Sequence, residues 1–173
     1  MELIEEDKLD EAAEIIEKIL LSNDAEAIGR AEGAVKLLSI LYYRRGRDNW
    51  LANGNYSEMI ADYEKAVGFD PDNAKALMQL AWTYATCPES DLRDGEKAVE
   101  MATRACALTD WQDHESISTL AAAYSEAGSS DDAIKWQQEA INLIPVERRV
   151  ELETEYQERL SLYESGKPYH ESP

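Results

Sequence analysis

The stretch that decides the fold runs from Asn55 to Ala66 and reads Asn-Tyr-Ser-Glu-Met-Ile-Ala-Asp-Tyr-Glu-Lys-Ala. Gly54 precedes it and Pro71 follows it, so a turn-forming residue and a helix-ending residue enclose one helical segment. The same arrangement returns at a constant offset of 74 residues. The matching pairs are Gly54 and Gly128, Tyr63 and Gln137, Ala66 and Ala140, Phe69 and Leu143, and Pro71 and Pro145. This shared register indicates an internal repeat.

A third copy lies between these two and carries an insertion. Its small residues, in the places of Met59, Tyr63 and Ala66, are Ala98, Ala102 and Ala105. The spacings from Met59 to Ala98 and from Ala98 to Ala133 are 39 and 35 residues, close to a 34-residue unit. No stretch shows sustained period-two alternation, so we expect no strand. The pattern therefore predicts an all-α chain of helix pairs, in which neither helix buries its apolar stripe alone.

These residues resemble the tetratricopeptide repeat (TPR) family. The family pattern places a Leu-Ala pair and a Tyr in the first helix, Gly in the turn, small residues in the second helix and Pro at its end. The residues that carry it here are Leu80, Ala81, Tyr84, Leu120, Ala121, Tyr124, Gly54, Gly128, Ala66, Ala98, Ala105, Ala133, Ala140, Pro71 and Pro145. The resemblance covers about residues 40–145. It implies a TPR-like α-α superhelix of antiparallel helix hairpins with a C-terminal capping helix. The sequences of residues 81–88 and 166–169 resemble those of a bacterial subgroup of the family.

The resemblance implies a single TPR-like domain over residues 1–173. Its parts are a partial repeat and long helix (1–39), a repeat (40–73), a repeat with a loop insertion (74–113), a repeat (114–145), a capping helix (146–164) and a tail (165–173). We expect Asp24 to cap the long helix. Whether residues 24–53 form one helix or two stays open. Asp110 stands where the pattern has a closing Pro, and the tail is expected to be extended and mobile.

The charge balance excludes several classes of partner. The chain has 36 acidic residues against 17 Lys and Arg, a net charge of −19. Nucleic-acid and anionic-lipid surfaces need clustered cations, so we expect neither partner. No run of 18 apolar residues is present, and we expect a cytoplasmic protein. A neutral or basic protein or peptide partner fits best. Residues 1–40 hold 11 acids against 4 bases, so part of the acidity lies outside the repeats.

No residue cluster in the sequence indicates catalysis. His114 stands beside Asp113 and two residues before Ser116, but helix starts are naturally rich in Ser and Asp and no nucleophile elbow is present. Cys87 and Cys106 are too few for a disulfide framework and fit small buried side chains. We therefore expect no enzyme, no cofactor and no metal. An unrecognised active site around His114 is the disfavoured alternative.

In this family the first helices face a concave groove. Carried over residue by residue, the expected groove residues are Lys75, Met78, Trp82, Thr86, Glu115, Ser118, Ala122 and Ser125. Trp82 is the expected aromatic anchor, although packing against the long loop or the next helix would explain it equally well. Some TPR domains clamp the acidic C-terminus of chaperones with groove cations. Lys75 is the one groove cation that can be placed here, so that subtype is disfavoured.

The sequence therefore favours a non-catalytic interaction module, a scaffold or adaptor that binds a peptide or helix of a partner in its groove. The alternative is a structural role, by self-association or as a spacer in a larger assembly. A homodimer could form through an apolar N-terminal end made of Leu9, Ile15, Ile16 and Ile19. RNA binding by a related helical-hairpin fold is disfavoured by the charge.

Overall fold

A computed structural model describes residues 6–22 and 24–172. Residues 1–5 of the predicted partial repeat and Pro173 of the predicted tail lie outside this description. Within it every regular element is helical, which confirms the all-α prediction. The α-helices are α1 (Glu6–Leu20), α2 (Ala25–Asn53), α3 (Tyr56–Phe69), α4 (Ala74–Thr86), α5 (Gly95–Leu108), α6 (His114–Glu126), α7 (Ser130–Leu143) and α8 (Arg149–Glu164). Short 3-10 turns occupy Ser90–Leu92 and Val146–Arg148.

The chain divides into two compact units, residues 1–73 and 74–173. In the first unit, α2 packs against both α1 and α3. In the second, α4 to α8 pack in chain order, and α4 also contacts α6. The assignment of residues 1–173 to a single domain stays a prediction.

The 24–53 segment is one helix of 29 residues, α2. The Asp24 side chain accepts hydrogen bonds from the backbone N–H groups of Glu26 and Ala27, both at 3.0 Å, so the predicted cap is present. The helix ends at Gly54, whose φ of 67° lies in the left-handed region that glycine adopts without strain. An unbroken helix thus joins the predicted long helix to the first helix of the first repeat.

Gly46 allows α2 and α3 to approach closely. A Cβ atom added to it would lie 3.0 Å from the Asp62 Cβ, 3.1 Å from the Tyr63 ring and 3.2 Å from the Met59 carbonyl oxygen. The sequence places Met59 where the repeat pattern has Ala. The small residue at this crossing is therefore supplied by α2 rather than by α3.

A cluster of charged side chains ties α1 to the rest of its unit. The Arg45 guanidinium donates to Asp62 at 2.9 and 2.6 Å and to Asp10 at 3.1 Å. Asp10 also accepts from the Tyr42 hydroxyl and the Lys65 ammonium, each at 2.7 Å. Burial by itself would raise the pKa of the Asp10 carboxyl. The hydrogen bonds from these donors lower the pKa by more, so it lies well below the ordinary value. The ionised carboxylate of α1 is thus held by residues of α2 and α3.

The second unit uses alanine and glycine at its helix crossings. The small residues predicted there are fully buried: Ala98, Ala105, Ala133 and Ala140. At Gly95 an added Cβ would lie only 2.6 Å from the Ala127 backbone nitrogen, so the start of α5 rests on the end of α6. Between α5 and α6, Asp110 and Trp111 have φ angles of 51° and 57°, and the Trp111 N–H donates to the Cys106 carbonyl at 2.8 Å. Two left-handed residues therefore form the turn where the pattern has Pro.

α8 covers the end of the second unit with an apolar stripe. Its buried members include Tyr156, Leu160 and Tyr163, which the helical spacing predicts. Arg159 is also buried, with only 5% of its surface exposed. The Gln137 side chain, inside α7, donates to the Tyr156 carbonyl at 3.1 Å and so anchors α8 to its neighbour.

Candidate peptide-binding site

The chain turns back on itself after α8. Gly166 has a φ of 71°, and its N–H donates to the Tyr163 carbonyl at 2.9 Å. The Lys167 N–H donates to the Leu162 carbonyl at 3.0 Å. Residues 167–172, which we call the return segment, then run without helix or turn and contact α4, α6 and α8. The predicted tail is therefore bound along the helices that the family resemblance assigns to the groove.

An aromatic contact holds the middle of the return segment. The Tyr169 ring lies 5.8 Å from the Trp82 ring, centroid to centroid, at an interplanar angle of 40°. The Arg159 guanidinium lies 5.1 Å from the Trp82 centroid, 5.7 Å from that of Tyr169 and 4.6 Å from that of Tyr156. A buried guanidinium facing aromatic rings is attracted by their electron-rich faces. One side chain of the return segment thus completes an aromatic and cationic cluster of α4 and α8.

Hydrogen bonds to α4 hold Glu171. Its backbone N–H donates to the Thr86 carbonyl at 2.8 Å. Its carboxylate accepts from the Trp82 indole Nε1 at 2.7 Å. Trp82 therefore contacts two residues of the return segment, Tyr169 with its ring face and Glu171 with its N–H group.

α6 contributes two polar contacts to the return segment. The His170 Nε2 lies 2.7 Å from the Glu126 Oε2. The Ser125 hydroxyl donates to the Lys167 carbonyl at 3.5 Å, a long and weak contact. We call the set of contacting residues, Trp82, Thr86, Ser125, Glu126 and Arg159, the docking surface.

The inserted loop supports one edge of the docking surface. Arg93 donates through Nε to the Glu126 Oε1 at 2.8 Å, the carboxylate oxygen that does not meet His170. It also donates through Nη1 to the Cys87 carbonyl at 2.8 Å. Both members of this ion pair are largely shielded from solvent, at 16% side-chain exposure each. The loop therefore fixes the carboxylate that meets His170.

Arg159 faces three aromatic rings and is paired with one carboxylate. Its Nη2 donates to Glu155 at 2.9 Å. Its Nε and the hydroxyl of Tyr163 are buried, and neither has a hydrogen-bond partner among residues 6–22 and 24–172. Burial raises the pKa of the Tyr163 hydroxyl well above its ordinary value, so the phenol stays neutral.

The structure brings three of the sequence-predicted groove residues to the docking surface, namely Trp82, Thr86 and Ser125. Two others are buried among helices: Ala122 is 2% exposed, and the Ser118 hydroxyl donates to Gln137 at 3.0 Å. The remaining predicted groove residues lie outside the docking surface.

Those remaining residues have different surroundings. Lys75 is exposed and Met78 is half-buried, both in the first turns of α4. Glu115 accepts from Arg148 at 3.2 Å. The role of all eight residues in partner binding stays a prediction.

Sequence reasoning missed Arg159, Glu126 and the return segment itself. Arg159 follows Tyr156 by three residues and so shares its helix face, which is the one signal for it. The partners of the return segment on α4 and α6 lie 42 to 89 residues away in the chain, beyond any local pattern.

The residues considered for catalysis have structural partners. The His114 Nδ1 lies 2.9 Å from the Tyr156 hydroxyl, whereas the Ser116 hydroxyl donates to Asp113. Both cysteines are free and buried, and burial raises the pKa of the Cys106 thiol to about 12. Such a thiol stays protonated near neutral pH and is a poor nucleophile.

Residues 6–22 and 24–172 contain neither a metal-binding cluster nor a membrane-spanning helix. Within these residues no group of three or more His, Cys, Asp and Glu side chains could hold a metal ion. Across the same part of the chain, no helix has the length and apolarity that crossing a membrane requires.

Comparison with known proteins supports the repeat pattern. A tetratricopeptide repeat family profile matches residues 41–73, which is the span of the first predicted repeat less one residue. A search of curated proteins gives no match. Among solved structures, the chain is similar to the first TPR of Spaghetti (RPAP3) bound to the HSP90 peptide SRMEEVD. That likeness has a TM-score of 0.59 and 20% sequence identity and covers 73% of this chain and 90% of the other. The fold class is confirmed as an all-α, TPR-like arrangement of antiparallel helix hairpins.

Proposed function

We propose that the second unit is a non-catalytic interaction module that binds a short peptide segment of a partner protein at the docking surface. One observation carries the proposal, namely that a non-helical segment of the chain already lies there. The return segment is held by a backbone hydrogen bond, a side-chain hydrogen bond and an aromatic contact. A surface that holds one such segment has the groups needed to hold another of similar chemistry.

Trp82 is the central residue of this proposal. It is half-buried, so one part of the ring packs in the fold while another meets the return segment. Tryptophan residues of this kind, with a large ring and one polar group, dominate the energetics of many interfaces. The open alternative for Trp82 is packing against the inserted loop or the next helix. It has less support, because the described contacts of the side chain are with Tyr169, Glu171 and Arg159.

The docking surface suits a peptide with little net charge. The return segment itself contains one Lys and one Glu besides His170. The HSP90 peptide in the similar structure, SRMEEVD, is acidic. Peptides rich in carboxylates need several solvent-facing cations, whereas Arg159 here is buried and paired with Glu155. We therefore propose a neutral ligand and keep the expectation that acidic chaperone tails bind poorly.

Self-association through the first unit is a second candidate function. Apolar side chains of α1 and α2 are exposed there, including Ile15 at 58%, Leu37 at 54% and Leu51 at 68%. Leu9, assigned to the same apolar end, is 3% exposed and packs inside the unit. Light scattering over a concentration series tests this function. A monomer at every concentration would eliminate it, and a concentration-dependent dimer would support it.

Peptide selection tests the proposed interaction function. We expect peptides selected from a random display library against the full chain to bind at least about tenfold more weakly to the Trp82→Ala variant, because the anchor ring is gone. Trp111→Ala is the matched control. This tryptophan is also in the second unit and stacks on Trp136 at 5.1 Å, away from the return segment. Peptides that bind both variants equally well would contradict the proposal.

A further inference from the structure

We infer that the docking surface selects partner peptides in which an aromatic residue stands two positions before a carboxylate, and that the return segment competes with them for the same place. The pattern is that of Tyr169 and Glu171. This inference rests on the proposed function, because it names the ligand class of the same surface.

The side chains of the return segment alternate in direction. Tyr169 and Glu171 both contact Trp82, whereas His170, between them, reaches Glu126 on another helix. Alternation of this kind is the property of an extended chain, in which residues i and i+2 share one side. A ligand must therefore be extended, and its two recognised side chains must be separated by one residue.

The first position calls for an aromatic ring. The Tyr169 ring meets the Trp82 ring at 5.8 Å and the Arg159 guanidinium at 5.7 Å. An aliphatic side chain would fill some of the space but would lose the attraction between the cation and the ring face. With the Tyr169 ring in place, Arg159 is only 5% exposed, so its guanidinium has little contact with water.

The second position calls for a carboxylate on a residue with a backbone N–H. The Trp82 Nε1 group is a donor only, and its partner at 2.7 Å is the Glu171 carboxylate. The backbone N–H of the same residue donates to the Thr86 carbonyl at 2.8 Å. A lysine side chain here would have no acceptor for the indole, and a proline would lack the N–H.

The return segment makes the docking surface self-occupied. It is covalently attached through α8 and Gly166, so its local concentration does not fall when the protein is diluted. Short tethers give effective concentrations on the order of millimolar. The tethered segment raises the apparent dissociation constant of a partner peptide by a factor of one plus the ratio of this effective concentration to the segment's own dissociation constant. The segment therefore sets an affinity threshold for entry.

A competition experiment tests the inference. The probe is a fluorescein-labelled peptide, Lys-Pro-Tyr-His-Glu-Ser, which copies residues 167–172. Its affinity is measured by fluorescence polarisation for the full chain, for a chain ending at Gly166, and for the full chain with Tyr169→Ala. We expect the two altered chains to bind at least about tenfold more tightly than the unaltered one, because their own competitor is absent or weakened.

Matched peptides test the pattern itself. On the chain ending at Gly166, probes with Ala in place of Tyr or Lys in place of Glu are expected to bind at least about tenfold more weakly than the original. A probe with Ala in place of His is expected to bind within about threefold. If circular dichroism shows that the shortened chain is unfolded, the Tyr169→Ala chain serves for the same comparison.

The outcomes separate this inference from the proposed function. Equal probe affinity for all three chains, or equal affinity of the Tyr and Ala probes, would overturn the inference. If selected peptides lose affinity on Trp82→Ala but lack the aromatic and acidic pattern, the proposed function stands and the inference fails. If neither probe nor selected peptides depend on Trp82, both fail. If the probe binds tightly and also causes the chain to dimerise, the ligand of the docking surface is a second copy of the chain and not a partner peptide. That outcome would overturn the inference.

Discussion

Replacing Tyr169 with alanine removes the one ring of the return segment that packs against Trp82 and Arg159. The helices of the second unit keep all their own contacts, so the change acts on the docking of the segment. The amide proton of Glu171 reports this docking, because it donates to the Thr86 carbonyl at 2.8 Å only when the segment is in place. The expected result is faster exchange of this proton with solvent.

The magnitude follows from the two contacts that are lost. The aromatic pair contributes about 0.5–1.5 kcal/mol and the cation–ring contact about 0.5–1 kcal/mol. The docked state is then weakened by about 1–2.5 kcal/mol. Since 1.4 kcal/mol corresponds to a factor of ten, exchange at Glu171 is expected to accelerate by about 5- to 70-fold.

NMR-detected hydrogen exchange measures this rate. The control variant Tyr169→Phe keeps the ring, and its exchange rate is expected to stay within about twofold of the unaltered chain. An unchanged rate in Tyr169→Ala would refute the assigned ring contact. Equal acceleration in both variants would also refute it, because the hydroxyl and not the ring would then hold the segment.

Two further predictions concern the stability of the fold. Gly95→Ala is expected to lower the free energy of unfolding by about 1–3 kcal/mol in a urea titration, because its Cβ would meet the Ala127 backbone at 2.6 Å. Gly33→Ala, in an open position of α2, is the control and should stabilise by about 0.5–1 kcal/mol; a neutral Gly95→Ala would contradict the close approach. Asp10→Asn is expected to destabilise the chain more at pH 7 than at about pH 2. The folded state depresses the pKa of this carboxyl, so its contribution is complete above the ordinary pKa of about 3.9 and is lost progressively as the pH falls from there through the lower pKa of the folded state. A penalty that is the same at both pH values would count against this assignment.

The repeat positions could be predicted because their physics is local. Small residues at a fixed spacing, such as Ala98 and Ala133, lie where helices cross, and both are fully buried. Capping by Asp24 follows in the same way from one side chain and two neighbouring N–H groups. By contrast, Gly46 and Trp50 resemble pattern residues with one residue too many between them, so the sequence left open whether residues 24–53 form one helix or two.

The docking surface could be predicted only in part. The family resemblance identifies the helix that contributes Trp82 and Thr86. It does not indicate that the return segment binds there. The tail shows no periodicity, and its contact between Trp82 and Glu171 spans 89 residues. Arginine is usually exposed in proteins. Arg159 is nevertheless buried, because aromatic rings and Glu155 surround its charge. Contacts of this kind depend on the assembled fold and leave no local pattern in the sequence.

The central claim is that the return segment and a partner peptide use the same docking surface. It is tested most directly by following the nuclear Overhauser effects between the rings of Trp82 and Tyr169 during a titration of the labelled full chain with a selected peptide. We expect these effects to be present in the free chain, where the centroids are 5.8 Å apart, and to disappear as the peptide saturates the docking surface. Effects that are absent in the free chain, or that persist unchanged with peptide bound, would contradict it.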